Sequence, residues 1–435
     1  MSATTSRCPI HVPCLPELAD FEEYATPYMG KWHLGGEIFA QRGFDEWVSF
    51  SDKYREHYSE GRDRNEHSTY HEFLVEAGFE PDVEAEDGFR SFSRDFAADL
   101  PEEYSKPAFL AREATRFVEE HRDRPFVLYV NFLEPHSPYT SPRHDQYDPD
   151  EVELPPNVEY DGIDDQPLRE RIIGEHARGR FEGEPTDAAR RELVSNYWGL
   201  ASLVDTHAGR ILDTLADCGL EAETTTVFTS DHGAMMGSHG QVAKNTAYGE
   251  AANVPLVVRL PETDDRSEDN ATEGVVERPV SQIDLVPTLL DALGRSKPDY
   301  LQGGSWLPFL RGEGDLPSEN VFIELNAPID SWLDDRSGIA LDPHAGSEYI
   351  PTEPFDHPDE ELWAARLGPV RAVISPNGRK LVYHANGDHE LYDLDDDPYE
   401  LENLTGREAH RDVIERLASE LGAWQRRTRD PVLLQ

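Results

Sequence analysis

VFTSDHG, residues 227–233, ends an apolar, β-branched run with an acid, an imidazole and a glycine. This pattern predicts a buried parallel strand that delivers polar groups to the carboxyl edge of a sheet, where α/β enzymes place their sites. Asp231 and His232 are adjacent, so both can address one ion only if the chain turns at Gly233, which glycine permits. A strand-end turn capped by Asp231 is the alternative interpretation of this stretch alone.

The rest of the chain predicts a doubly wound, mostly parallel α/β sheet over residues 1–312. An apolar run at 126–132 suits a strand covered on both faces, and residues 197–215 carry the clearest amphipathic helix. Beyond residue 312 the pattern changes to short strands joined by Asn-Gly turns, which predicts a small antiparallel subdomain over 313–435. Its strands are predicted at 370–374, 380–384 and 390–393, and its closing helix at 410–426.

The composition is strongly acidic. The 435 residues include 87 Asp and Glu against 40 Lys and Arg, a formal net charge of -47. Dispersed acid with scarce lysine is typical of proteins from salt-loving archaea, where salt screens the self-repulsion. Nucleic-acid binding is disfavoured because no basic stripe could neutralise phosphates. Three cysteines make no disulfide framework, and no apolar run approaches a membrane span, so we expect a cytoplasmic protein with no membrane partner.

Unusual polar groups follow three of the predicted strands, and the carboxyl ends of parallel strands share one edge of a sheet. Cations can hold the oxygens of a tetrahedral anion there, a metal can polarise them, and imidazoles can move protons. The sequence therefore predicts an oxyanion site. Its candidate residues are Lys31 and His33, then His136, then Asp231 and His232, with Lys244 shortly after.

An ordered set of motifs along the chain resembles the type I sulfatases of the alkaline phosphatase-like superfamily. The motifs are GKWHLG at 30–35, EPHSPY at 134–139, TSDHG at 229–233, KNTAYGEA at 244–251 and ELYDL at 390–394. The resemblance implies an alkaline phosphatase-like fold and metal-dependent hydrolysis of sulfate monoesters to alcohol and sulfate. The expected substrate is a small-molecule or carbohydrate sulfate ester.

The resemblance also implies a role for each candidate residue. Lys31 and Lys244 would hold the sulfate, and His33 would orient or deprotonate the nucleophile. His136 would contact the sulfate or protonate the leaving oxygen. Asp231 and His232 would bind a divalent ion, usually calcium, although an imidazole ligand leaves manganese or another metal open.

The sequence departs from the family before GKWHLG. The C-x-P-S-R motif, whose cysteine becomes the formylglycine nucleophile, and two further metal aspartates are absent from the sequence. Cys14 begins CLPEL instead and lies too close to GKWHLG to be the nucleophile. Three explanations are a reading frame that starts further upstream, a decayed remnant, and a catalytically inactive protein that binds anions. Phosphoester or phosphonate hydrolysis on the same fold is a further alternative.

Overall fold

The computed structural model of the chain describes residues 12–19, 23–158, 166–178, 186–262, 274–316, 319–326 and 357–432. The helices are α1 (Leu15–Ala19), α2 (Thr69–Glu76), α3 (Arg94–Ala98), α4 (Lys106–Glu120), α5 (Leu168–Arg178), α6 (Asp187–Asp217), α7 (Gly249–Ala252), α8 (Leu285–Ala292), α9 (Leu307–Leu310), α10 (Asp359–Leu367) and α11 (Arg411–Thr428). The strands are β1 (Pro27–Gly30), β2 (Glu46–Val48), β3 (Val83–Glu84), β4 (Arg90–Ser91), β5 (Tyr129–Asn131), β6 (Thr226–Thr229), β7 (Leu256–Arg259), β8 (Val321–Leu325), β9 (Val370–Ile374), β10 (Arg379–His384) and β11 (Glu390–Asp393).

These elements belong to two compact units. Unit 1 comprises Met1–Glu153, Arg191–Thr225 and Pro261–Thr263. Unit 2 comprises Leu154–Arg190, Thr226–Leu260 and Asp264–Gln435.

Unit 1 contains a parallel sheet with the strand order β2-β1-β5. Helix α4 begins after the N-cap Ser105, whose hydroxyl accepts from the Ala108 N–H, and it places Pro107 in its first turn. Its apolar face, which includes Phe109, Leu110 and Phe117, is buried in the main core of the unit. Residues 51–105 contain α2, α3 and the short β3–β4 hairpin.

Unit 2 contains two antiparallel sheets. The first pairs β6 with β7, with Phe228 opposite Val257. The prediction of a buried parallel strand before Asp231 is therefore wrong, because β6 pairs antiparallel with β7 and Phe228 is 43% exposed. An apolar run does not fix the direction of the partner strand. The second has the order β11-β10-β9-β8, and helix α11 packs on it through a core that includes Leu381, Leu417 and Trp424. The strands predicted at 370–374 and 390–393 are found with those bounds. The α/β fold with a parallel sheet and a C-terminal antiparallel sheet is therefore confirmed.

Within the described ranges, no helix combines the length and the apolar character that crossing a membrane requires.

Candidate active site

The GKWHLG loop (residues 30–35) leaves the carboxyl end of β1. Gly30 has a φ of 113°, and a Cβ at this position would lie 2.0 Å from the Asn131 carbonyl oxygen, so only glycine fits. The Lys31 N–H donates to the same oxygen at 3.0 Å. Because Asn131 ends β5, this bond ties the start of the loop to the neighbouring strand.

A buried carboxylate, Glu37, holds the middle of the loop. Its two oxygens accept from the backbone N–H groups of Trp32 at 3.1 Å and His33 at 2.7 Å. Burial raises the pKa of Glu37, while these two bonds and the Lys31 ammonium act in the opposite direction. His33 has a left-handed backbone with a φ of 60°, which costs a residue with a side chain about 1–2 kcal/mol. The bonds to Glu37 offset that cost.

One face of the His33 imidazole is covered by Tyr54. The two rings stack with centroids 4.9 Å apart and planes 25° apart. Arg94 Nη2 donates to the Tyr54 hydroxyl at 3.1 Å, which fixes the tyrosine ring. The orientation of His33 is therefore set through both its backbone and its ring.

His136 follows β5 in the EPHSPY segment. Its Nδ1 lies 2.9 Å from the Ser137 carbonyl oxygen. A carbonyl oxygen can only accept, so Nδ1 carries the hydrogen of the neutral ring and Nε2 is the atom that can take a proton. Two residues earlier, burial raises the pKa of the Glu134 carboxyl, and the Lys106 ammonium opposes that shift.

In unit 2, the Asp231–His232 corner follows β6. His232 Nδ1 lies 2.9 Å from the Gly233 carbonyl oxygen, which fixes the tautomer whose Nε2 lone pair can bind a metal. That Nε2 lies 3.5 Å from Asp231 Oδ2, so the two atoms could contact one divalent ion. The pair fits two positions of a metal site, whereas calcium takes six to eight oxygen ligands.

Gly233 is required here by close packing rather than by a positive φ. A Cβ would lie 2.0 Å from the Glu250 carbonyl oxygen. The Gly233 N–H donates to the Ala251 carbonyl oxygen at 2.9 Å. The Met235 N–H likewise donates to the Ala243 carbonyl at 2.8 Å. These bonds bring the corner against the segment that carries Lys244.

The lysine loop (residues 244–249) is anchored by the C-terminal part of unit 2. Lys380 Nζ donates to the Ala247 carbonyl, and the Gly249 N–H donates to Glu400 Oε2 at 2.6 Å. The Tyr248 hydroxyl donates to Glu390 at 2.9 Å. Lys380 also pairs with Glu400, and both side chains are buried. Lys380, Glu390 and Glu400 thus hold the lysine loop in place.

The six predicted site residues divide between the units. Lys31, His33 and His136 belong to unit 1, and Asp231, His232 and Lys244 belong to unit 2. Within unit 1, the segments that carry Lys31 and His136 follow adjacent strands of one sheet. Within unit 2, backbone bonds join the segments that carry the other three. The convergence of both sets on one anion stays a prediction.

Sequence reasoning missed several positioning residues of these segments. Glu37 could have been predicted from the sequence, because an acid directly after Gly35-Gly36 lies near the backbone N–H groups of the loop. Tyr54 and Lys380 carry none, because their contacts connect elements that are far apart in the sequence.

The family model for Sulfatase matches residues 2–295 of the chain. The chain belongs to the sulfatase family. It is 26% identical over 338 residues to the multifunctional alkaline phosphatase superfamily protein PehA of Trinickia caryophylli, an alignment that covers 75% of this chain and 60% of PehA. It is also 26% identical over 417 residues to the uncharacterized sulfatase YidJ of Escherichia coli (strain K12), covering 94% of this chain and 70% of YidJ.

A solved structure supports the fold assignment for this sulfatase-family chain. The phosphonate monoester hydrolase SpPMH from Silicibacter pomeroyi superposes with a TM-score of 0.72 at 24% identity, covering 98% of this chain and 82% of that structure. At this identity the likeness establishes the alkaline phosphatase-like fold, and the chemistry has to be argued from the residues.

Proposed function

We propose that this chain is a sulfatase-like hydrolase, which cleaves sulfate monoesters with water to an alcohol and sulfate. The GKWHLG loop carries the proposal, because the Lys31 backbone is bonded to the Asn131 carbonyl and the His33 backbone to the buried Glu37. A cation and an imidazole held in this way suit a tetrahedral oxyanion, since little reorganisation is needed when it binds.

In this proposal, Lys31 and Lys244 hold the sulfate oxygens. His33 orients or deprotonates the nucleophile, and His136 gives a proton from Nε2 to the leaving alcohol oxygen. Asp231 and His232 hold a divalent ion, calcium or manganese, which would draw negative charge from the sulfate oxygens. The formylglycine nucleophile of the family would come from a C-x-P-S-R cysteine that the sequence lacks.

The working environment forms part of the proposal. A net charge of -47 with only three cysteines favours the cytoplasm of a salt-loving cell. The substrate would be a small-molecule or carbohydrate sulfate ester.

The test measures p-nitrophenyl sulfate hydrolysis in molar KCl with calcium or manganese, using the chain and a version extended by the in-frame codons upstream of Met1. We expect Lys31→Ala and His136→Asn to lower turnover by about 10²–10³-fold. Lys297→Ala is the matched control, because its ammonium bonds the carbonyls of Leu301 and Gly303 instead. Undiminished turnover in Lys31→Ala would overturn the proposed site.

A second candidate function is sulfate-ester binding without catalysis, because cations and imidazoles such as Lys31, His33 and Lys244 can bind an anion without a nucleophile. Calorimetry would then detect binding of the ester, no sulfate would be released, and Lys244→Ala would abolish the binding. Neither binding nor turnover would exclude both functions. A phosphonate monoester assayed in parallel tests the third alternative, phosphoester or phosphonate hydrolysis on the same fold.

A further inference from the structure

A second acid–imidazole cluster lies in unit 1 at residues 52–71, outside the motifs described above. Asp52, His67 and His71 each place one ligand atom within 4.8 Å of the other two. His71 Nδ1 lies 3.1 Å from Asp52 Oδ2, and His67 Nδ1 lies 3.6 Å from the same oxygen. Ligands about 2.0–2.1 Å from a tetrahedral metal are about 3.3 Å apart, so both distances suit a shared ion.

The two imidazole nitrogens are unsatisfied without such an ion. His67 Nδ1 and His71 Nδ1 are buried, and neither has a hydrogen-bond partner of acceptable geometry. The His71 residue is only 7% exposed. Buried polar atoms almost always have a partner, so an orphaned pair that faces one carboxylate oxygen requires an explanation. A single metal ion would satisfy all three atoms.

The surrounding chain fixes the cluster in this arrangement. Ser68 is the N-cap of α2, and its N–H donates to Asp52 Oδ1 at 2.6 Å, which leaves Oδ2 to face the imidazoles. The His67 and His71 rings stack with centroids 3.7 Å apart, and His67 also stacks on Phe89 at 4.5 Å. A second bond to the ligating carboxylate and packed rings are the features that orient metal ligands in proteins.

An ion held by these three side chains would have a fourth coordination position, on the side of the neighbouring cavity. Asp52 and His71 line a cavity of about 300 Å³, together with the cations Lys53 and Arg94. Those cations would favour water or an anion as the fourth ligand. Three protein ligands and an accessible fourth position are typical of exchangeable zinc sites.

We propose that His67 Nδ1, His71 Nδ1 and Asp52 Oδ2 bind a divalent transition metal of the zinc type. Two imidazoles and one carboxylate suit zinc or cobalt and are a poor set for calcium, which takes oxygen ligands. The site is separate from the Asp231–His232 corner in the sequence and has two imidazoles where that corner has one.

The experiment uses the full chain, stripped with EDTA in molar KCl, in an Asp231→Asn/His232→Asn background that removes the other candidate ligands. We expect one Co²⁺ per chain with the intense visible bands of tetrahedral cobalt, displacement by Zn²⁺, and no displacement by millimolar Ca²⁺. No cobalt binding, or displacement by calcium, would overturn the proposal.

Two variants assign the binding to the cluster. Asp52→Asn keeps an oxygen for the Ser68 N–H but loses the ligating charge, and we expect at least a tenfold rise in the cobalt Kd. His67→Gln, at a partly exposed position, should give the same result if Asp52→Asn fails to fold. The matched control is His121→Ala, which removes an imidazole 3.5 Å from the single carboxylate of Glu46. An unchanged Kd in either cluster variant contradicts the site.

Thermal melting provides a second readout in the same background. A metal that binds only the native state raises Tm, and at a fixed metal concentration the rise is larger for tighter binding. Zn²⁺ should therefore raise Tm by similar amounts in the background protein and in His121→Ala, and by clearly less in Asp52→Asn. An equal rise in all three proteins would place the zinc elsewhere and overturn the assignment.

Discussion

The GKWHLG loop and the lysine loop are held in place by different means. The first folds around Glu37, which lies only four residues after His33 and is 3% exposed. The second is bonded to Lys380, Glu390 and Glu400, which lie 133 to 151 positions from their partners in the loop. The bonds to Glu37 can therefore form within the GKWHLG segment itself. The bonds to the lysine loop form only when the C-terminal sheet of unit 2 is folded.

The largest expected effect comes from breaking the buried Lys380–Glu400 pair, which holds the lysine loop. Lys380→Met leaves the Glu400 carboxylate buried without its cation, and both side chains are 1% exposed. Removing one partner of a buried ion pair costs about 3–5 kcal/mol. Urea unfolding at constant KCl measures the loss in the free energy of unfolding.

The control for this variant removes both charges. Lys380→Met/Glu400→Gln should recover much of the loss, because no unpaired charge is then buried. A double variant as unstable as the single one would mean that the lost bond to the Ala247 carbonyl, rather than the uncompensated charge, dominates the effect.

Acid pH should weaken unit 1 through a buried histidine. Burial, with a smaller contribution from the Arg210 guanidinium, lowers the pKa of His207 to about 4 from 6.5. The unfolded chain then binds a proton between pH 6.5 and 4 that the native state does not bind. The stabilisation is therefore complete above pH 6.5 and is lost as the pH falls to 4, by at most about 3 kcal/mol.

Unfolding curves collected from pH 7.5 to 4 measure this loss. In His207→Gln the corresponding part of the pH dependence should disappear, because a glutamine side chain does not titrate in this range. Identical pH profiles for the parent chain and His207→Gln would exclude His207 as the group responsible.

Replacing glycine by alanine tests how closely the backbone is packed at the GKWHLG loop and at the Asp231–His232 corner. Gly30→Ala and Gly233→Ala each place a Cβ 2.0 Å from a carbonyl oxygen, and Gly30 also has a positive φ. We expect losses of about 2–3 kcal/mol, the larger at Gly30. Gly209→Ala in α6, where nothing lies within 4 Å, should instead stabilise by about 0.5–1 kcal/mol. Tm measures all three, and a neutral Gly233→Ala would show that the corner can move away from Glu250.

Breaking the bonds between Glu37 and the GKWHLG loop is expected to cost less stability than breaking the Lys380–Glu400 pair. Glu37→Gln keeps one oxygen, so the N–H of Trp32 or His33 loses its acceptor at a cost of about 1–2 kcal/mol. In addition, sulfate-ester binding should weaken, because the His33 backbone is no longer held in its left-handed conformation. Calorimetry and Tm measure both effects, and a Tm loss as large as that of Lys380→Met would remove the distinction between the two loops.

Elements with strong local periodicity could be predicted from the sequence. The apolar face of α4 and the strands β9 and β11 follow from residue spacing alone. The direction of β7 could not, because an apolar run is the same in a parallel and an antiparallel pair. The motif residues of the site were predictable by resemblance, while the anchoring of the lysine loop depends on contacts between distant segments that no spacing encodes. The Asp52 cluster was missed because its ligands span a region with no regular pattern.

The smallest expected effect concerns β7, which pairs with the strand that leads to the Asp231–His232 corner. Val257 in β7 is 61% exposed and lies opposite Phe228, whereas Val373 in β9 of the same unit is fully buried. Val→Thr keeps the shape and the strand preference while adding a hydroxyl, so its cost depends on burial. Val257→Thr should change the free energy of unfolding by less than about 0.5 kcal/mol, and Val373→Thr should lower it by about 1–3 kcal/mol. Urea unfolding of the two variants side by side measures the difference. Equal losses would mean that Val257 is covered in solution, and the strand before the corner would then be as firmly packed as the C-terminal sheet that anchors the lysine loop.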